Sequence, residues 1–204
     1  MSKILISGYY GFANAGDEAM LTAIIESLRQ VEKNVELTVL SGNPEDTAAK
    51  HQVCSVYRFN PLGIIRAMKD SELIISGGGS LLQDVTSKRS LLYYLSIIGL
   101  GKFFGKKVML FAQGIGPIRA KWARKLTSLV CNEADLITVR DSESAAELIE
   151  MGVKPEKITV TADSVLSLNP VTKECGQYLL QEAGVDITNP LIIKKKKPWT
   201  EDSQ

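Results

Sequence analysis

Apolar residues recur along this chain with two periods, and the switches between them predict its elements. Short runs rich in Val, Ile and Leu fall at 3–7, 35–41, 53–59, 72–76, 107–113, 136–140 and 158–162. Several are apolar at consecutive positions, as strands covered on both faces should be. Between them, 18–31 sets Met20, Leu21, Ile24, Ile25, Leu28 and Val31 on one helical stripe. Residues 121–134 do the same with Trp122, Leu126, Leu129 and Val130. Asp141 or Ser142 is placed to cap a helix through Met151, with Gly152 to end it. The most apolar stretch, 91–104, is shorter than the ~20 residues of a membrane-spanning helix and contains Lys102, so it predicts a buried helix. Strands alternating with helices predict an α/β fold: a parallel sheet flanked by helices on both faces.

The carboxyl end departs from this pattern. Residues 177–183 read as a helix stopped by Gly184, and 189–193 read as a strand beginning. Four lysines, Lys194 to Lys197, then replace the side chains a core would need. The expectation is one domain over 1–188. Residues 189–204 are then either an irregular tail or, the favoured reading, the start of a second domain whose remainder is missing.

Composition narrows the function classes. The chain has 204 residues, 24 basic against 23 acidic, a net charge of +1 and 45% apolar content. That length and content suffice for a core without a disulfide or metal staple. The near-neutral balance excludes a nucleic-acid binder that relies on global positive charge. Cys54, Cys131 and Cys175 form neither a CxxC pair nor a disulfide framework, so a reducing cytoplasm is the expected compartment. The amino terminus passes from a short apolar run into a glycine turn, unlike a signal peptide. With one histidine and scattered cysteines no zinc site is expected. His51 itself is expected at the solvated surface.

Candidate chemistry gathers where predicted strands end. Ser7–Glu18 joins the first strand to the first long helix through Gly8, Gly11 and Gly16. It matches neither GxGxxG nor a P-loop, yet it leads to a helix amino terminus suited to an anion. Asp17 there is either a ligand contact or a helix cap. Gly77-Gly78-Gly79 exceeds what a structural turn usually needs, and Asp84 beyond it is a general acid/base, a sugar-hydroxyl ligand, or a cap. Gln113-Gly-Ile-Gly-Pro117 follows another strand. Arg140 offers a planar fork for phosphate or carboxylate, or a salt bridge to Asp141 or another loop acid. Asp163 adds a carboxylate. In a parallel sheet all five loops share one rim, outside the carboxyl ends of the strands.

These residues resemble the polysaccharide pyruvyl transferase family. The similarity is carried, in order, by Gly8-Tyr-Tyr-Gly11, Asn14-Ala-Gly-Asp-Glu18, Gly77-Gly-Gly-Ser-Leu-Leu-Gln-Asp84, Gln113-Gly-Ile-Gly-Pro117, Val139-Arg-Asp141 and Ala162-Asp-Ser164. It is strongest to the bacterial branch that pyruvylates a secondary cell-wall polysaccharide anchoring S-layer proteins. The resemblance implies a Rossmann-like amino-terminal half of a GT-B fold and no cofactor beyond phosphoenolpyruvate as co-substrate. The reaction would be pyruvyl transfer to two hydroxyls of a lipid-linked saccharide at the inner membrane face. It implies Arg140 as donor ligand and Asp84 and Asp17 on the acceptor or proton-transfer side. Substrate contacts would come from Gly11, Asn14, Gly16, Gly77, Gly78, Gly79, Gln113 and Asp163. The family's histidine and further basic donor ligands belong to a second domain, so this stretch alone is expected to be inactive. A non-catalytic anion or sugar-nucleotide module and half of a GT-B glycosyltransferase are the competing readings.

Overall fold

The computed structural model describes residues 2–85 and 87–187. The expectations for the Lys194–Lys197 tail lie outside those residues. The chain divides into two compact units at Leu168/Asn169. Within the second, α7 (Lys173–Glu182) is capped by Thr172, and Gly184 follows it at φ 74.

The first unit is a parallel sheet wound from alternating strands and helices. Its strands are β1 (Lys3–Tyr10), β2 (Glu36–Ser41), β3 (Cys54–Tyr57), β4 (Leu73–Ser76), β5 (Gly79–Leu82), β6 (Lys107–Ile115), β7 (Leu136–Val139) and β8 (Ile158–Val160). Its helices are α1 (Ala15–Val31), α2 (Pro44–His51), α3 (Pro61–Asp70), α4 (Lys88–Phe103), α5 (Lys121–Glu133) and α6 (Ser142–Glu150). The spatial order is β3-β2-β1-β4-β6-β7-β8, every pairing parallel. Strand order reverses between β1 and β4, the switch point at which open α/β sheets bind ligands.

Consecutive apolar residues in the strands do what their pattern predicts. In β1, Ile4 and Ile6 face one core with Leu21, Ile24 and Ile25 of α1. Leu5 faces the other, with Met68 of α3, Ile98 of α4, Cys131 of α5 and Leu148 of α6. Ile75 and Ile74 of β4 divide the same way. Burying a side chain of this size contributes about 1.5–3 kcal/mol, so both helical layers are needed to hold the sheet.

Three local expectations change. The stripe predicted for α5 is rotated: Trp122 and Leu129 are exposed, while Ala123, Thr127 and Cys131 face inward. Small side chains let the helix lie close to its neighbours, and hydropathy does not register that requirement. Val31 likewise lies outside the core, exposed at the end of α1. His51 is not solvated, because α2 packs it against α1. Its side chain is only 10% exposed, with Nε2 3.7 Å from Glu18 Oε2. Neither α3 nor β5 was signalled by the pattern. Asn60-Pro61 does carry a helix start, the Asn60 side chain accepting from the Gly63 N–H at 3.0 Å.

Candidate functional site

The loops after β1, β4, β6, β7 and β8 do share the carboxyl edge of the sheet. At the first, Asn14 caps α1 by accepting the Gly16 N–H at 3.2 Å. The cap that the sequence left open for Asp17 therefore belongs to Asn14. Asp17, in the first helical turn, instead lines a cleft. Glu18 reaches back so that Oε1 accepts the Gly11 N–H at 2.8 Å, which ties the glycine loop to its own helix.

The triple glycine is a break between two strands. β4 stops at Ser76, and β5 resumes at Gly79 on the same side of β6, with Gly79 opposite Gln113. Gln113 bridges the gap from below: its Nε2 donates to Ser76 Oγ at 2.7 Å, the Ser76 carbonyl at 3.1 Å and the Gly77 carbonyl at 3.2 Å. It is fully buried, so the structure places this expected substrate contact one layer beneath the rim, shaping it. A Cβ at Gly77 would stand 2.3 Å from the Tyr10 hydroxyl, so only glycine lets that buried ring pass. A Cβ at Gly79 would come within 3.3 Å of Asp17 Oδ1, and one at Gly78 within 3.3 Å of Ser164 Oγ. The glycine segment thus lies between the β1 and β8 loops.

Arg140 leaves β7 over Gly114, where a Cβ would stand 2.7 Å from the guanidinium carbon. Its Nε donates to Asp141 Oδ2 at 3.2 Å, Nη1 to Asp163 Oδ2 at 3.4 Å and Nη2 to Ser80 Oγ at 3.3 Å. Both carboxylates have a second task. Asp141 Oδ1 accepts the Ser144 N–H at 2.7 Å at the start of α6, and Asp163 Oδ1 accepts the Val165 N–H at 3.2 Å. The bonds to Ser144, with Arg140 adding to them, hold the Asp141 carboxyl below the usual carboxylate range. The fork is therefore oriented by fixed acids yet remains 34% exposed.

Ser80 is shared with a cleft of about 350 Å³ whose polar lining is Asn14, Asp17, Ser80, Gln83 and Ser90, between the aromatic walls Tyr9 and Tyr94. Its size and mixed lining fit a small-molecule site. Ser90 and Tyr94 lie one turn apart on α4, which is why a stretch legible only as a buried helix also contributes to the cleft. At the mouth, Tyr9 stacks on Phe12 with ring centroids 4.3 Å apart, both about 40% exposed.

Asp84 stands apart from these groups. Its carboxylate accepts the Arg119 N–H at 3.0 Å and the Ala120 N–H at 2.9 Å, capping α5 from across the chain, because Ala120 has no side chain to do so. Those backbone bonds lower its pKa. The structure thus gives Asp84 a role in holding α5, and a carboxyl kept ionised is poorly suited to donating a proton. Sequence reasoning did not single out Tyr9, Ser80, Gln83, Ser90, Tyr94 or Arg58. Arg58 falls inside the predicted run 53–59 but lies just beyond β3, 4% exposed. Among the described residues, no group of three or more His, Cys, Asp or Glu is placed to hold a metal ion. Nor is any described helix long and apolar enough to cross a membrane.

A doubly wound parallel sheet with its loops gathered at the switch point is the plan of one half of a GT-B enzyme. Solved glycosyltransferases and epimerases of that type share it. HepE from Anabaena, in complex with UDP and glucose, matches with TM-score 0.57 at 12% identity, over 90% of this chain and 50% of its own. A glycosyltransferase from Rickettsia africae matches with TM-score 0.53 at 12% identity, over 93% and 51%. A putative UDP-N-acetylglucosamine 2-epimerase from Listeria monocytogenes matches with TM-score 0.52 at 12% identity, over 87% and 50%. The chain spans about half the length of these structures, and at such identity they show the fold alone. No curated protein matches it. The family model for polysaccharide pyruvyl transferase matches residues 14–201, and the chain belongs to that family.

Proposed function

We propose that this domain serves transfer of a pyruvyl group from phosphoenolpyruvate to two hydroxyls of a saccharide, forming a cyclic ketal and releasing phosphate. The observation that carries this reading is the sharing of Ser80 between an arginine fork and a polar, aromatic-walled cleft. An enol phosphate and a diol must meet at such a junction. In the reaction the methylene carbon gains a proton and C2 becomes electrophilic. One hydroxyl bonds to C2, the C2–O bond to phosphate breaks, and the second hydroxyl closes the ring. The two hydroxyl protons balance the one gained at carbon and the one taken up by phosphate.

Arg140 binds the donor's carboxylate or phosphate. Its present ion pairs are partly exposed and loose, and such pairs contribute at most about 1 kcal/mol, so a dianionic ligand can replace one of them. Asp141 and Asp163 keep the fork aimed at the rim. Asn14 and Asp17, with the backbone of Gly11, Gly16 and Gly77–Gly79 around them, form the acceptor side, where Asp17 accepts a hydroxyl proton. Gln113 and Asp84 shape the frame. The Tyr9–Phe12 shelf suits the apolar face of a sugar ring.

We place the protein in the CsaB-like branch, on the ordered motifs quoted above. Its acceptor is then a lipid-linked cell-wall saccharide, modified at the cytoplasmic face of the membrane to support S-layer anchoring. The test is calorimetric titration with phosphoenolpyruvate and with UDP-glucose, together with phosphate release in the presence of a saccharide acceptor. Arg140→Lys keeps the charge but loses the planar fork, and should weaken phosphoenolpyruvate binding by about tenfold. If Arg140→Lys binds it like the parent, Arg140 is an ion-pair residue and the donor site lies elsewhere. Tight UDP-glucose binding without phosphoenolpyruvate binding would favour a sugar-nucleotide module on the same scaffold.

A further inference from the structure

Arg58 is the only arginine or lysine among the buried residues described, at 4% exposure, and its partners are neutral. Nη1 donates to the Gly8 carbonyl and Nη2 to the Tyr94 hydroxyl, each at 3.4 Å. Nε finds no acceptor among the described residues. The guanidinium carbon lies 4.4 Å from the Tyr93 ring centroid, 5.2 Å from Phe59, 5.3 Å from Phe12, 5.5 Å from Tyr94 and 5.9 Å from Tyr9. One side chain thus joins the end of β1, the loop after it, the loop after β3 and α4.

Electron-rich ring faces stabilise the cation, but taking it out of water is costly, and an apolar side chain of similar volume would fill this space without that penalty. The charge therefore needs another explanation, and Tyr94 supplies it. A phenol oxygen that accepts from Nη2 has its own proton left to donate. Tyr94 lines the cleft beside Asn14, Asp17 and Ser80. We propose that Arg58 is a positioning residue, which fixes the Tyr94 hydroxyl as a donor into the cleft and holds the Tyr9–Phe12 shelf at its mouth. With the cleft as the acceptor side, the oxygen that Tyr94 meets is a hydroxyl or ring oxygen of the saccharide. This inference rests on the cleft being the acceptor site.

The experiment compares Arg58→Met, Arg58→Lys, Tyr94→Phe and the double variant Arg58→Met/Tyr94→Phe in the full-length enzyme. Phosphate release from phosphoenolpyruvate is followed against acceptor concentration. Tyr94→Phe should raise the acceptor KM by about tenfold, the loss of one good hydrogen bond, with the phosphoenolpyruvate KM within about twofold of the parent. Arg58→Met should act in the same direction, and Arg58→Lys should recover part of the loss. The double variant should be no worse than the poorer single variant, since both remove one interaction. Equal changes in both KM values, or additive losses, would show a merely structural residue and overturn the proposal. A parent that binds saccharide but releases no phosphate would overturn the pyruvyl-transfer reading instead. The positioning role is then read from the 19F resonance of 3-fluorotyrosine at position 94. It should shift in Arg58→Met and stay in place in Arg140→Ala, and an unmoved resonance in Arg58→Met overturns the proposal.

Discussion

Two arginines stand at equivalent places on one sheet edge, each just past the end of a parallel strand, and their surroundings are opposite. Arg140 follows β7, keeps 34% of its side chain exposed and pairs with the carboxylates of Asp141 and Asp163. Arg58 follows β3, is 4% exposed and is held by ring faces, a carbonyl and a phenol. The first is aimed by charges it can exchange for those of a ligand. The second is fixed by groups that do not exchange, so its influence reaches the cleft only through Tyr94 and the aromatic shelf. On the proposed function, the contrast separates an arginine that binds the donor from one that builds the cleft.

The sharpest way to break that contrast is to remove each side chain. Arg58→Ala empties a packed aromatic site and should lower unfolding free energy by roughly 2–4 kcal/mol, in the range of other large-to-small changes in cores. Arg140→Ala should change it by no more than about 1 kcal/mol, as expected for partly exposed ion pairs. Urea denaturation of both variants decides the matter, and equal losses would mean that Arg140 is scaffold too. A smaller effect is expected at Asp84, the carboxylate paired with backbone amides. Asp84→Ala should cost about 1 kcal/mol, the usual value of a helix cap, with the loss appearing as faster amide exchange at Arg119 and Ala120.

The smallest effect, and the most selective, is in pH. The folded Asp141 carboxyl titrates below its unfolded value, so its contribution is present above about pH 4 and is lost as pH falls through the lowered folded pKa. Burial raises the Tyr93 and Tyr94 phenols, with Arg58 opposing it. Their contribution is therefore intact below about pH 10 and is lost as pH rises through the raised folded values. Acid should loosen the Arg140 corner first and alkali the Arg58 corner first. Amide exchange at Ser144 against that at Gly8 and Tyr94 measures this, and the reverse order would contradict the assignment.

The alternation of short apolar runs with amphipathic stretches determined the parallel sheet by itself. It did so because strand and helix periods are local, and burial on both faces leaves consecutive apolar residues in 3–7 and 72–76. The ordered motifs likewise determined which loops meet, since every parallel strand ends on the same edge. Only the tertiary structure decided what those loops do there. Gln113 lies under the glycine break, Asp84 turns to the amides of Arg119 and Ala120, and His51 is enclosed by Glu18, although each reads in sequence as a ligand or a surface group. Arg58 meets Gly8 from 50 residues away and Tyr94 from 36, and nothing in a window of local periodicity connects them. A side chain's neighbours along the chain fix its element, whereas its role depends on partners that crossovers in the sheet bring from elsewhere, and those contacts carry no period to be read.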